Sequence, residues 1–167
     1  LSLALFVFKA SRPHAAIVGR VPETEHFRNV LRHKVFTDPR VLTIRIDESL
    51  TYLNARWLEE FVLEQVAEHP ELRHLILMCS AINAIDASGL ESLEAINHRL
   101  ADGGIQMHLS EVKGPVMDAL ERVHFLADLT GKVWLSQNAA FDAAIALANR
   151  GDGAGQREDP WLARGLI

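Results

Sequence analysis

The stretch Leu75-Ile-Leu-Met-Cys-Ser-Ala-Ile-Asn-Ala-Ile-Asp-Ala-Ser-Gly-Leu-Glu-Ser-Leu93 decides the fold. It opens on the apolar run Leu75–Met78, crosses a short polar loop, and continues with Leu90, Leu93, Ile96 and Leu100 at helical spacing. A continuous apolar run is the pattern of a strand covered on both faces, and the repeat that follows is one stripe of an amphipathic helix. Asp86 and Ser88 stand where that helix begins; their oxygens suit the unsatisfied N–H groups of a first turn, and Gly89 eases the turn. A helix start at the carboxyl end of a strand is also a ligand position in α/β folds, because the positive end of the helix dipole faces outward there.

Working outward, strands and helices alternate. Ala15–Val18 reads as a first strand, Val41–Ile46 as a second, and Leu50–Leu53 as a short third after the polar turn at Asp47-Glu48. Asn54 is placed to cap a helix whose stripe is Trp57, Leu58, Phe61, Val62 and Val66, ending near His69-Pro70. Gly103-Gly104 stops the helix that follows Asp86, and Ile105–Leu109 is the next strand. Pro115 suits the first turn of a helix carrying Val116, Leu120 and Val123. Val133–Leu135 is a last strand, and Asn138 opens a final helix over residues 139–149. This order predicts an α/β fold: a single mixed β-sheet layered with four to five α-helices. Residues 13–150 form the domain, and 151–167 read as a flexible tail with Gly151–Gly155 as linker.

Composition narrows the function. Forty-nine per cent of the 167 residues are hydrophobic, enough for one folded core. Seventeen basic residues against twenty-two acidic ones argue against a nucleic-acid partner. The lone Cys79 ends an apolar strand and reads as a buried structural thiol. The eight histidines include only two sequence-close pairs, His26/His33 and His69/His74, without a ligand spacing, so no metal site is expected. Glu59, Glu60, Glu64 and Glu68 are the solvated face of their helix. No nucleophile elbow or phosphate-loop lysine occurs, so catalytic residues and cofactors are not expected. The opening Leu1–Phe8 is too short to span a bilayer, which takes about twenty residues. It is either a buried segment of the fold or the trailing end of a membrane helix, with Lys9 and Arg12 at its boundary.

The order of elements, with Ile85-Asp86-Ala87-Ser88-Gly89-Leu90 after a buried strand and Leu53-Asn54-Ala55 opening the helix upstream, resembles the STAS domain. That family includes anti-sigma-factor antagonists and the cytoplasmic C-terminal domains of SulP (SLC26-type) anion transporters. The resemblance spans residues 13–149, and the lead-in Arg12-Pro13-His14 through Phe27-Arg28-Asn29 is similar to the segment that follows the last membrane helix of SulP proteins. It implies that residues 1–12 are the end of a last transmembrane helix with its juxtamembrane segment. It further implies a place on the cytoplasmic face of the inner membrane, in a bacterial carrier of sulfate, bicarbonate or a dicarboxylate. Implied partners are the membrane domain of the same transporter, a second STAS domain or a cytosolic regulator, and weakly a guanine nucleotide. The loop Asp86, Ala87, Ser88, Gly89 and Leu90 is the implied contact or anion-binding element. Antagonists carry their phosphorylated hydroxyl immediately after the motif's Asp; here that position is Ala87, which leaves Ser88 as the one hydroxyl for phosphate. The resemblance thus favours a non-catalytic regulatory domain over a soluble partner-switching protein.

Overall fold

The computed structural model describes residues 2–10 and 15–155. Its elements in chain order are α1 (Ser2–Ala10), β1 (Ala15–Arg20), β2 (Phe27–Asn29), β3 (Val41–Ile46), α2 (Ala55–Glu68), β4 (His74–Met78), α3 (Ala87–Asp102), β5 (Gln106–Ser110), α4 (Gly114–Arg122), α5 (Phe125–Asp128), β6 (Val133–Trp134) and α6 (Gln137–Gly155). The six strands form one sheet in the order β2-β1-β3-β4-β5-β6. From β3 to β6 the strands run parallel, while β1 is antiparallel to both its neighbours, so the sheet is mixed as expected. Parallel neighbours require a crossover, and α2, α3 and the α4–α5 pair supply the three.

Side-chain alternation along the strands divides the interior in two. Leu42, Ile44, Leu75, Leu77, Met107 and Leu109 face one way and pack with Leu58, Leu93, Ile96, Leu120 and Phe125 in the larger core. Ile76, Val41 and Val18 face the other way, toward Ala140, Phe141 and Ala144 of α6. The α6 side is also where the sheet hides its polar groups. Ser110 Oγ donates to Gln137 Oε1, whose amide nitrogen donates to Thr43 Oγ1 at 2.9 Å, and all three side chains are buried.

His74 and His108 make the second buried polar unit. The Lys132 backbone N–H (3.1 Å) and the Trp134 indole N–H (3.2 Å) both point at His108 Nδ1. Neither group can accept, so Nδ1 carries no proton and His108 Nε2 donates to His74 Nδ1, 3.1 Å away. His74 then holds its proton on Nε2. Burial, with the charges of His74 and Lys132, pushes the His108 pKa down from 6.5 to about 4. Burial and the charges of Arg40 and Arg73 lower that of His74. The folded state therefore binds fewer protons than the unfolded chain in this range. The pair's contribution to stability is complete above pH 6.5, falls as the pH drops toward about 4, and levels off below it. The gap sets a ceiling of about 3 kcal/mol on the His108 contribution. Urea unfolding across that window checks it, and a flat profile would refute the neutral buried pair.

Three readings of the sequence need correction. Leu50–Leu53 is not a strand: Leu50 makes one parallel bridge to Ile85, and the chain then turns into α2. Asn54 occupies the cap position of α2 without capping it, because its Oδ1 accepts from the Thr51 N–H (3.0 Å) and its amide donates to Ser49 O (2.8 Å), bracing the turn behind. Residues 151–155, read as linker, continue α6, which also begins two residues earlier than expected. The three-residue β2 and the four-residue α5 were not anticipated. Position 1, positions 11–14, where the expected juxtamembrane segment ends and the domain begins, and the tail from 156 lie outside the described residues.

The opening segment, read as either a buried strand or helix start or a membrane-helix end, is not buried over residues 2–8. Residues 2–10 are helical, with Leu3 at 74 % and Phe6 at 66 % exposure. Among the described residues no helix is long and apolar enough to cross a membrane. Cys79 is buried and its thiol is pushed up to about 12 by that burial, as a structural cysteine requires.

Candidate functional site

The loop expected to carry function lies between β4 and α3, and its geometry is set by one carboxylate. Asp86 caps α3: Oδ1 accepts from the Gly89 N–H at 2.8 Å, and Oδ2 accepts from the Tyr52 N–H at 2.9 Å. Its backbone N–H donates to Leu50 O (3.1 Å), and Leu50 N–H donates to Ala84 O (3.1 Å). One side chain thereby staples the turn before α2 to the first turn of α3. Gly89 is needed for close approach rather than for a special backbone angle, since a Cβ there would sit 2.8 Å from both Leu50 O and Ile85 Cγ1. Ser92 Oγ adds a third tie, donating to Ala55 O at 2.8 Å.

The five residues singled out from the sequence divide by role. Asp86, Gly89 and Leu90 face inward, with Leu90 packed against the larger core. Ala87 is exposed and Ser88 half-buried, so these two form the outward surface of the loop. They are joined by Tyr52, which is 73 % exposed and which sequence reasoning missed because it is 34 residues from Asp86. Lys113, from the turn between β5 and α4, also reaches the loop by donating to Asn83 Oδ1. The site thus has a basic neighbour that the loop's own sequence lacks.

The outward part of this arrangement is an exposed surface of Tyr52, Ala87 and Ser88. Both Asp86 oxygens are occupied by backbone N–H groups, so the carboxylate is unavailable as a base. Among the described residues the Ser88 hydroxyl has no hydrogen-bond partner and so no neighbouring base. Among the described residues no group of three or more His, Cys, Asp or Glu side chains is placed to hold a metal. Replacing Asp86 by Ala should cost about 2 kcal/mol, the sum of a lost cap and a second orphaned N–H. Thermal melting checks this, with Asp86→Asn, which keeps one acceptor oxygen, expected in between.

The family model for the STAS domain matches residues 34–140, which covers β3 through the start of α6. The chain belongs to the STAS-domain family. Its sequence is 34 % identical over 155 residues to sulfate transporter 1.3 of Arabidopsis thaliana, covering 86 % of this chain and 24 % of that protein. The chain therefore spans about a quarter of the length of such a relative. In fold, this STAS domain is similar to a region of murine solute carrier 26 family member A9, an anion transporter in the inward-facing state. The TM-score is 0.73 at 15 % identity, over 89 % of this chain and 24 % of that one. It is also similar to a SulP transporter STAS domain from Vibrio cholerae, with a TM-score of 0.57 at 18 % identity, over 72 % of this chain and 93 % of that one. The α/β fold expected from the sequence is the fold of these proteins.

Proposed function

We propose that this STAS domain is the regulatory and assembly segment of a SulP-type transporter of sulfate or a related anion. In that role it sits on the cytoplasmic face of the membrane and works without chemistry of its own. One feature above all supports this reading: α1, an apolar helix with Leu3, Leu5, Phe6 and Phe8 exposed, stands directly ahead of the domain. Such a surface belongs against lipid or a membrane-embedded partner. The surface of Tyr52, Ala87 and Ser88 is the element that docks on the transporter's membrane part or on a second STAS domain.

Two measurements test it. The coding sequence upstream of Leu1 should encode a series of apolar spans, and a start codon directly before Leu1 would overturn the transporter reading. In cells carrying the whole transporter, Tyr52→Glu with Ala87→Asp should lower radiolabelled sulfate uptake severalfold at unchanged membrane abundance. Unaltered uptake would remove the loop's docking role.

A second reading rests on the unpartnered Ser88 hydroxyl at a helix start. Phosphate there would add about −1.5 to −2 charges beside Asp86, a repulsion the helix dipole offsets only partly. Incubation with a cognate kinase and ATP decides it: label on the wild type, lost in Ser88→Ala, would make the loop a phosphoswitch.

A further inference from the structure

Two cavities of about 240 and 350 Å³ open side by side beneath the second half of α6, sharing Gln106 and Leu147 in their walls. They lie by the amino ends of β4 and β5, at the opposite end of the strands from the Asp86 loop. The first is lined by His108, Lys132, Trp134 and Arg150, and the second by Arg73 and His74; neither has an acidic residue in its wall. Arg20, Arg40 and Arg45 each pair with a carboxylate. Among the described residues, the side chains of Arg73, Lys132 and Arg150 have none; Lys132 Nζ instead stands 6.0 Å from the centre of the Trp134 ring.

The hydrogen-bond chain through the wall runs in one direction. The Trp134 indole donates to His108, and His108 donates to His74. The last N–H of the chain, on His74 Nε2, has no acceptor among the described residues, and although the residue is only 6 % exposed this atom is not one of its buried ones. Gly131 allows this packing, since a Cβ there would collide with Met107 O and the His108 ring. Near His74, then, the walls present cations and an accessible N–H donor, and the apolar part of the lining is indole, Leu147 and alanine.

We propose that this paired cavity binds a small organic anion. Its acid group, a carboxylate, sulfate or phosphate ester, would face Arg73, Arg150 and the His74 N–H, and its ring or short apolar body would lie along Trp134 and Leu147. The size is at the lower end for ligand pockets, which run from about 300 Å³ upward, so the occupant is one ring or a short chain. The site is separate from the loop proposed above as a docking surface.

Titration of the full chain with phenyl phosphate and with benzoate, followed by NMR of the Trp134 indole N–H and the His74 ring, tests the site. Saturable shifts at both probes are expected with at least one of the two acids. The acid that binds should bind at least about tenfold tighter than inorganic phosphate, with no shift from benzyl alcohol. Arg73→Gln and Arg150→Gln should each weaken binding about three- to tenfold, and Ser88→Ala should leave it unchanged. Bound anion should also raise the titration midpoint of His74, which a merely structural change in the wall would not do. No saturable shift at millimolar concentrations of either acid overturns the proposal. So does an affinity for inorganic phosphate equal to that for the aryl acids, or binding indifferent to both arginine substitutions.

Discussion

Replacing Phe141 by Ala should lower the unfolding free energy by about 3–5 kcal/mol, the largest loss expected from any single side chain on the α6 side of the sheet. Phe141 is 2 % exposed and meets Phe27 edge-on at 5.4 Å and Phe36 at 6.0 Å. The Arg20 guanidinium lies 5.1 Å from its ring centre and is itself bonded to Asn138 (3.1 Å) and Asp142. Its buried apolar companions on the helix, Ala140, Ala144 and Ala148, are all small. One aromatic ring therefore carries most of the apolar attachment of α6, and β2 is held through the same contact. Urea unfolding of Phe141→Ala and Phe141→Leu checks this. The leucine variant should recover most of the loss, because it refills the cavity while giving up only the aromatic geometry. A loss below about 1 kcal/mol for the alanine variant would mean that α6 is held by its polar network instead.

Replacing Leu93 by Ala should cost about 2–5 kcal/mol, and Glu91→Ala less than about 0.5 kcal/mol. Leu93 is 2 % exposed, with Ile96 and Leu100 beside it in the larger core, whereas Glu91 and Glu94 lie on the solvent side of α3. The contrast matters because Asp86, Ser88 and Leu93 share one helix. Under the transporter role proposed above, a weakened α3 would loosen the loop from behind, so sulfate uptake should fall along with the melting temperature. In Tyr52→Glu, by contrast, only uptake should fall. Unchanged melting of Leu93→Ala would place the wrong face of α3 in the core.

The stretch from Leu75 to Leu100 was legible because every level agreed: apolar run, cap residue, helical period and glycine stop. What stayed hidden was short or non-local. Phe27-Arg28-Asn29 is too brief to show alternation, and it becomes a strand only because β1 offers it a partner. Leu50–Leu53 looks like a strand by composition, yet Asn54 folds back on Thr51 and Ser49 and makes a turn of it. The His74–His108 pair could not be read from spacing, since it depends on the β4–β5 register that sets Ile76 opposite His108. His69, the neighbour of His74 in sequence, instead bonds Gln65 O at 2.6 Å. At the candidate site the carboxylate cap was visible in advance, whereas Tyr52 and Lys113 are brought in by the fold.

The two outermost strands have a consequence for how copies of this domain behave when tethered together. β2 offers three residues and β6 two, so neither flank presents a ladder long enough to template a partner's backbone. Two tethered copies would meet at an effective concentration in the ~mM range, where a long open flank would zip up and stay closed. Here recognition is left to side chains on helices and loops. Such contacts can form and part repeatedly.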